Sequence, residues 1–433
     1  MLRATRLVTA SKRGFATVVD ASPGFKVASV DNGQPTSSVT VLLKAGSRYE
    51  SKPGVAHILS SFAFKSTGKR SALGTVREAE LYGGVLSSSR CREHLALTAE
   101  FLRGDEAYFV DVLASFLASP KFTRHELSEY VLPAVHSESS AAAQSAPTYA
   151  LELAHALAFR NGLGHALYAD PHAAGNITTE DVRDLHARAV GSPVAVLGTG
   201  ISTESLAKLL ESSFSAHKTA SATPASGTHA APATAYHGGA SRVASAHGPQ
   251  AVFVGFGSTA SASVPALHAL AAHLNPAPAL KWATGAAPLA SAIPAGVSAQ
   301  SVLLPYSDAT LVGVLLEGAD AGALTEGAKA VVGAFKDAAA GKVGKEELGR
   351  AVARAKFQLA AGVEGREGYV GAFGPKVLRG EAANVQAALE GVQGVSGTSL
   401  AQVAANLVKG KSTYVAVGDL HTLPYADEIG LSA

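Results

Sequence analysis

GVAHILSSFAFKSTGKR, residues 54–70, is the stretch from which the rest of the chain can be read. Val55, Ile58, Leu59, Phe62 and Ala63 recur at helical spacing behind Pro53 and Gly54, which predicts an amphipathic helix over about 54–65 with one face turned to a core. His57 and Ser61 stand four apart on one side of that helix, with Ser60 beside them. An imidazole and a hydroxyl at that spacing can touch as base and nucleophile. A serine in mid-helix is not held on a strained turn, however, and no carboxylate is evident to orient the ring, so serine hydrolysis is not expected.

Outward from this helix the chain states one plan twice. In the first half a strand over Val39–Leu43 turns through Gly46-Ser47-Arg48-Tyr49-Glu50 into the helix. A strand at His94–Glu100, a helix from about Asp105 to Leu117, a helix bearing Glu126 and Leu127, helices over about 146–161 and 179–190, and a strand at Val194–Leu197 follow. In the second half a strand over Val252–Phe256 leads to a helix over about 263–274, then a strand at Thr310–Leu316 and a long helix over about 320–340. Helices at about 344–361 and 396–408 and a strand at Tyr414–Val417 close it. Lys121 lies 73 residues before Val194, and Lys342 lies 72 before Tyr414. Duplication explains that agreement. The expected fold is α+β: two homologous domains, 16–216 and 249–433, each a mixed β-sheet covered by α-helices. The segment 217–248 is rich in Ala, Ser, Thr, Pro and Gly, has no periodicity and reads as a linker.

At 433 residues the chain is too long for one core. Charged residues are 16% of it, below the roughly 25% of an ordinary soluble domain, and 47% are apolar. Such a surface suits a protein that hides area against partners. No apolar run reaches the roughly 20 residues needed to cross a bilayer. Residues 1–15 carry Arg3, Arg6, Lys12 and Arg13 and no acid, as a mitochondrial presequence does, and Arg13-Gly14-Phe15-Ala16 resembles a matrix processing site. Removing those four of 36 basic residues and none of the 34 acidic ones takes the formal charge from +2 to −2. Without a basic cluster, nucleic acid is not an expected partner.

Other constellations carry little chemistry. Cys91 is the single cysteine, so no internal disulfide or cysteine-held cluster can form, and its apolar neighbourhood reads as packing. Gly255-Phe256-Gly257 follows a strand, but Ala260 replaces the third glycine of a dinucleotide fingerprint and Asn275 stands where an acid would hold the ribose. His268 and His273 are five apart and do not share a helix face. There is no Cys-x-x-Cys-His for haem, and no cofactor of the chain's own is expected.

The 54–70 helix resembles the metal-site helix of the pitrilysin-type metallopeptidases, whose motif is His-x-x-Glu-His. So do Phe62-Ala63-Phe64-Lys65-Ser66-Thr67, Tyr82-Gly83-Gly84 and Ser119-Pro120-Lys121-Phe122, in an order and spacing similar to the mitochondrial branch of that family. In active members two His bind zinc and the Glu activates a water. Here His57 keeps the first ligand position, while Ser60 stands for the general base and Ser61 for the second ligand. The third ligand, a Glu from a later helix, falls on Ser137 when counted without gaps and on Glu138 with a shift of one. No metal is expected, and His57, Ser60, Ser61 and Glu138 are vestigial motif positions. The branch holds the mitochondrial processing peptidase and the core proteins of the cytochrome bc1 complex. Its non-catalytic processing subunit has a glycine-rich loop; residues 276–302 have Gly285 and Gly296 but no glycine run. Tyr306-Ser307-Asp308 also looks more like the bc1 side. The resemblance implies a structural role, peripheral on the matrix face of the inner membrane, clamped to core protein 1 beneath cytochrome b, cytochrome c1 and other complex III subunits. The alternative it implies is the substrate-binding subunit of the processing peptidase.

Overall fold

Alternating apolar residues in the strands meet apolar helix faces to build two sheets with one strand plan. The structure, a computed structural model, describes residues 19–22, 25–217, 233–245, 248–259, 264–278, 287–381 and 384–431. The expected presequence 1–15, residues 218–232 of the segment read as a linker, and 279–286 of the segment compared with a glycine-rich loop lie outside the described residues.

The first half contains β1 (Val19–Ser22), β2 (Phe25–Val30), β3 (Thr36–Leu43), α1 (Val55–Ser61), α2 (Ala72–Leu81), β4 (Val85–Arg90), β5 (Leu95–Leu102), α3 (Glu106–Ala118) and α4 (Arg124–Glu126). It continues through α5 (Leu132–Gln144), α6 (Ala146–Phe159), α7 (Pro171–Ala174), α8 (Thr179–Val190), β6 (Val194–Thr199) and α9 (Thr203–His217). The second comprises β7 (Gly239–Ala244), β8 (Gln250–Ser258), α10 (Val264–Leu274), β9 (Val297–Pro305), β10 (Thr310–Gly318), α11 (Ala321–Ala339), α12 (Lys345–Gly362), α13 (Arg366–Arg379), α14 (Val385–Gln393), α15 (Gly397–Lys409) and β11 (Thr413–Gly418).

The sheet orders are β1-β2-β6-β3-β5-β4 and β7-β11-β8-β10-β9. Both are mixed: β2 runs parallel to β6 and β7 parallel to β11, and the remaining pairs are antiparallel. Apart from β1 the two orders superimpose strand for strand, and the duplication reaches single hydrogen bonds. In the β4–β5 turn the Cys91 amide donates to the His94 carbonyl at 2.8 Å; in the β9–β10 turn Tyr306 donates to Ala309 at the same distance.

Three sequence expectations need correction. β7 lies inside the segment read as a linker; its short run finds its hydrogen bonds on the edge of β11 and needs little apolar surface of its own. The 54–65 helix ends at Ser61. Cys91 is exposed in its turn and is not packed in a core, although local desolvation raises its thiol.

On one face of the first sheet Val39, Val41, Leu95 and Leu97 pack under α1, α3, α8 and α9. On one face of the second, Val252, Val254, Val312 and Tyr414 pack under α10, α11 and α15. The opposite faces are covered crosswise. Ala146, Ala150, Ala154 and Ala158, spaced by four along α6, lie on Ala251, Phe253, Val415 and Val417 of the second sheet. Tyr369, Phe373, Val377 and Leu378 of α13 lie on Leu42, Ala96, Ala195 and Leu197 of the first. Each half lends a helix to the other. Gly374 lets α13 come this close, since a Cβ there would stand 2.5 Å from a Leu42 methyl carbon. Buried on both faces, the central strands read as continuous apolar runs.

Candidate functional site

Three of the four motif positions, His57, Ser60 and Ser61, lie on α1, and Glu138 reaches His57 from α5. Gly54 enters the helix at φ 93°, a conformation glycine adopts without strain, and a Cβ there would stand 2.6 Å from that of Ala169. Glu50 Oε2 accepts the amides of Gly54 at 3.0 Å and Ala56 at 3.1 Å, satisfying two of the donors that a helix start leaves free. Burial nevertheless pushes the Glu50 carboxyl up to about 8, those amides opposing it, so it holds its proton at neutral pH.

His57 is completely buried, and its Nε2 lies 3.0 Å from Glu138 Oε2 on α5. The tautomer follows from the other nitrogen. The Ala169 amide donates to Nδ1 at 3.1 Å, so Nδ1 holds no proton, and Nε2–H donates to Glu138. Burial, then the positive charge of Arg90, lowers the imidazole to about 4 against the pull of Glu138, and the ring is neutral at physiological pH. Of the two candidates Ser137 and Glu138, it is Glu138 whose side chain touches His57.

A third partner was not foreseen. Arg90, the last residue of β4, places Nη2 2.8 Å from the same Glu138 Oε2 and donates from Nε to the Leu167 carbonyl at 3.2 Å. Its guanidinium carbon lies 4.9 Å from the centre of the Tyr168 ring, which meets His57 edge-on at 5.8 Å. Burial works to raise the Glu138 carboxyl, but His57 and Arg90 outweigh it and hold it below its ordinary value. Nothing in the sequence SSSRC around Arg90 announces this role.

These residues do not fit a catalytic zinc, which takes three protein ligands. His57 turns a protonated nitrogen towards Glu138, whose oxygen already carries a guanidinium. The Ser61 hydroxyl donates to the His57 carbonyl at 3.1 Å, and Ser88 donates to the Ser60 carbonyl at 3.0 Å. Among the described residues no three His, Cys, Asp or Glu side chains cluster to hold an ion. The charges the site does contain, Arg90 and Glu138, are spent on each other.

A second set of ionic groups joins the halves. Arg48 is almost fully buried; it reaches Glu93 at 2.8 Å and grips Asp308 with two nitrogens at 2.7 Å each. Ser307 donates its amide at 3.0 Å and its hydroxyl to Glu93, and the Thr234 amide donates to Asp308 at 3.1 Å. Glu93 and Asp308 occupy the same place in the two repeated turns, so one arginine bridges two copies of one position. Burial works to raise the Asp308 carboxyl, but Arg48 holds it down at about 2. Nearby, His155 Nε2 lies 2.8 Å from the Tyr306 hydroxyl across the same junction. Arg48 and Tyr306-Ser307-Asp308 lie in opposite halves of the sequence; only the fold shows that they touch.

Residues 26–171 match the insulinase (Peptidase family M16) family. The mitochondrial cytochrome b-c1 complex subunit 2 of Cryptococcus neoformans is 46% identical over 94% of this chain and 93% of its own. The protein of that name from Yarrowia lipolytica is 35% identical over 99% of this chain and all of its own; the human one is 27% identical over 94% and 90%. In three dimensions the crystal structure of a protease from Helicobacter pylori superimposes with a TM-score of 0.80, covering 94% of this chain and all of the protease at 18% identity, a likeness of fold.

Proposed function

This chain belongs to the family of mitochondrial cytochrome b-c1 complex subunit 2 proteins, and from that premise we propose that it is the non-catalytic core protein 2 of complex III. In this reading it supports assembly and stability of the ubiquinol–cytochrome c oxidoreductase, with the redox cofactors on other subunits. It clamps core protein 1 and lies peripherally on the matrix side of the inner membrane, beneath cytochrome b and cytochrome c1. No helix among the described residues is long and apolar enough to cross a membrane, which fits a peripheral position.

The observation that carries the non-catalytic reading is the closed set Arg90–Glu138–His57. With one neutral imidazole, one carboxylate already neutralised by a guanidinium, and serine in place of the general base, the site can neither gather a zinc ion nor activate a water. What the fold preserves is its packing and its junction. The relatives' names favour this over a substrate-binding role in presequence processing.

The test is to isolate the native particle carrying this chain from mitochondria. The expected particle shows haem b and haem c absorbance and loses both, with its quinol oxidation, when the chain is depleted. Restored cleavage of a matrix-targeted precursor on mixing with a catalytic processing subunit, with no haem present, would overturn the proposal.

A further inference from the structure

The second half holds a cavity of about 470 Å³ between α10, α12, α13, α14 and the β9–β10 turn, within the size range of small-molecule sites. Its location is informative. The 221 residues that separate Lys121 from Lys342 carry Glu138 onto Leu359, which lines the cavity, and α10 follows β8 as α1 follows β3. The cavity therefore stands where the second repeat's counterpart of the His57–Glu138 site belongs. There Arg90, Glu138 and Tyr168 gather at His57; here Leu359 and its neighbours line open space.

Its walls are apolar: Val264, Leu359, Val363, Phe373, Val385 and Val392. Three carboxylates (Glu93, Asp308 and Glu381) and two cations (Lys376 and Arg379) line it, and Arg48 behind the first two brings the formal sum to zero. Arg379 pairs with Glu381 at 2.7 Å, and Glu93 and Asp308 are both held by Arg48. Lys376 acts on Glu381 only through space; among the described residues it makes no ion pair, and its ammonium lies 5.3 Å from the centre of the Phe373 ring. Beside it His268 is kept neutral, lowered to about 4 by burial and then by the Lys376 charge, so its ring N–H can donate to an acceptor. An apolar chamber in which every carboxylate is held in an ion pair, while one ammonium is held in none and a neutral donor stands beside it, is complementary to a negative head on an apolar body.

We propose that this cavity binds a single-chain amphipathic anion, its carboxylate or phosphate at Lys376 and His268 and its hydrocarbon along Val264, Leu359 and Val363. The same head chemistry comes from a free fatty acid or from a lysophospholipid.

The experiment titrates the purified full chain by calorimetry with dodecanoate, lysophosphatidate and the uncharged dodecanol, all below micelle-forming concentrations. The expected result is saturable binding of one anion per chain, with dodecanol at least tenfold weaker. A preference for dodecanoate or for lysophosphatidate supports the proposal and identifies which source supplies the charge. Lys376→Met removes the distinction between acid and alcohol. Gly371→Leu narrows the cavity from α13, where an added Cβ meets no atom within 4 Å and leucine favours the helix; it weakens every ligand at least tenfold. Equal affinity for dodecanoate and dodecanol in the unaltered chain, or undiminished binding in a folded Gly371→Leu chain, overturns the proposal, as does the absence of saturable binding.

Discussion

Arg48→Met cuts the ionic link between the halves while keeping a long unbranched side chain in place. The Arg48 side chain is 4% exposed, Glu93 11% and Asp308 35%. Losing one partner of a buried pair costs about 3–5 kcal/mol, because the other charge is left stranded. Glu93 keeps its bonds from Ser307 and Asp308 its bond from Thr234, which places the loss near the lower bound, about 3 kcal/mol. A second route agrees. Holding Asp308 at about 2, against an ordinary 3.8, corresponds to about 2.5 kcal/mol, and solvent screening of this partly exposed group halves it to about 1 kcal/mol. The more deeply buried Glu93 accounts for the rest. Because the crossed helices tie both halves into one unit of 433 residues, about 3 kcal/mol lowers the melting temperature by about 3–6 °C, readable by differential scanning calorimetry of the full chain at pH 7. The pH dependence is a sharper check. Because the folded value of Asp308 is depressed, its stabilisation is complete above about pH 4 and is lost as pH falls through about 2. The difference between the two chains therefore narrows below about pH 4. A variant melting within about 2 °C of the unaltered chain, or a difference that stays constant from pH 7 to 2.5, refutes the assignment.

Three further outcomes follow from the site and the crossed helices. His57 has its folded value lowered to about 4, so its contribution is complete above about 6.5 and falls away towards pH 4, by up to about 3 kcal/mol; the urea midpoint of His57→Gln should lack that slope. Rebuilding the motif as Ser60→Glu with Ser61→His should give substoichiometric zinc by elemental analysis while Arg90 holds Glu138, and about one zinc per chain once Arg90→Ser is added; equal loading with and without Arg90 would show that the guanidinium does not occupy the site. Phe373→Ala, at a side chain 2% exposed, should cost about 3–5 kcal/mol and lower amide protection in β3 and β6 of the first half, measured by hydrogen exchange, although the substitution lies in the second.

Periodicity placed the helices around residues 105–117, 179–190, 320–340 and 344–361 within a residue or two, because each has a strong apolar stripe and clear end signals. The repeat also showed, since the spacing between its elements is kept in both copies. Edge strands β4 and β9 did not: none of their residues is fully buried, so neither carries a sharp alternation of core and solvent positions to read. β7 was hidden because its strand character comes from its neighbour. The alanine stripe of α6 and the Tyr369–Phe373 face of α13 were visible as helix faces, but nothing local says that each rests on the other half's sheet. At the site, His57 was legible through its helix and Glu138 within one residue. Arg90 was not, since a lone arginine in a serine-rich strand gains its meaning only from a carboxylate 48 positions later.

The crossed helices decide what can be separated from what. A fragment ending at residue 217 would keep α6 with no sheet beneath it and leave Leu42 and Leu197 open to water, inviting clumping. A chain cleaved once between the repeats, by contrast, would stay whole, each piece gripping the other through about a helix's length of interior. Gene duplication here has produced not two interchangeable modules but a mutual embrace, and a mutation in either copy is felt by both.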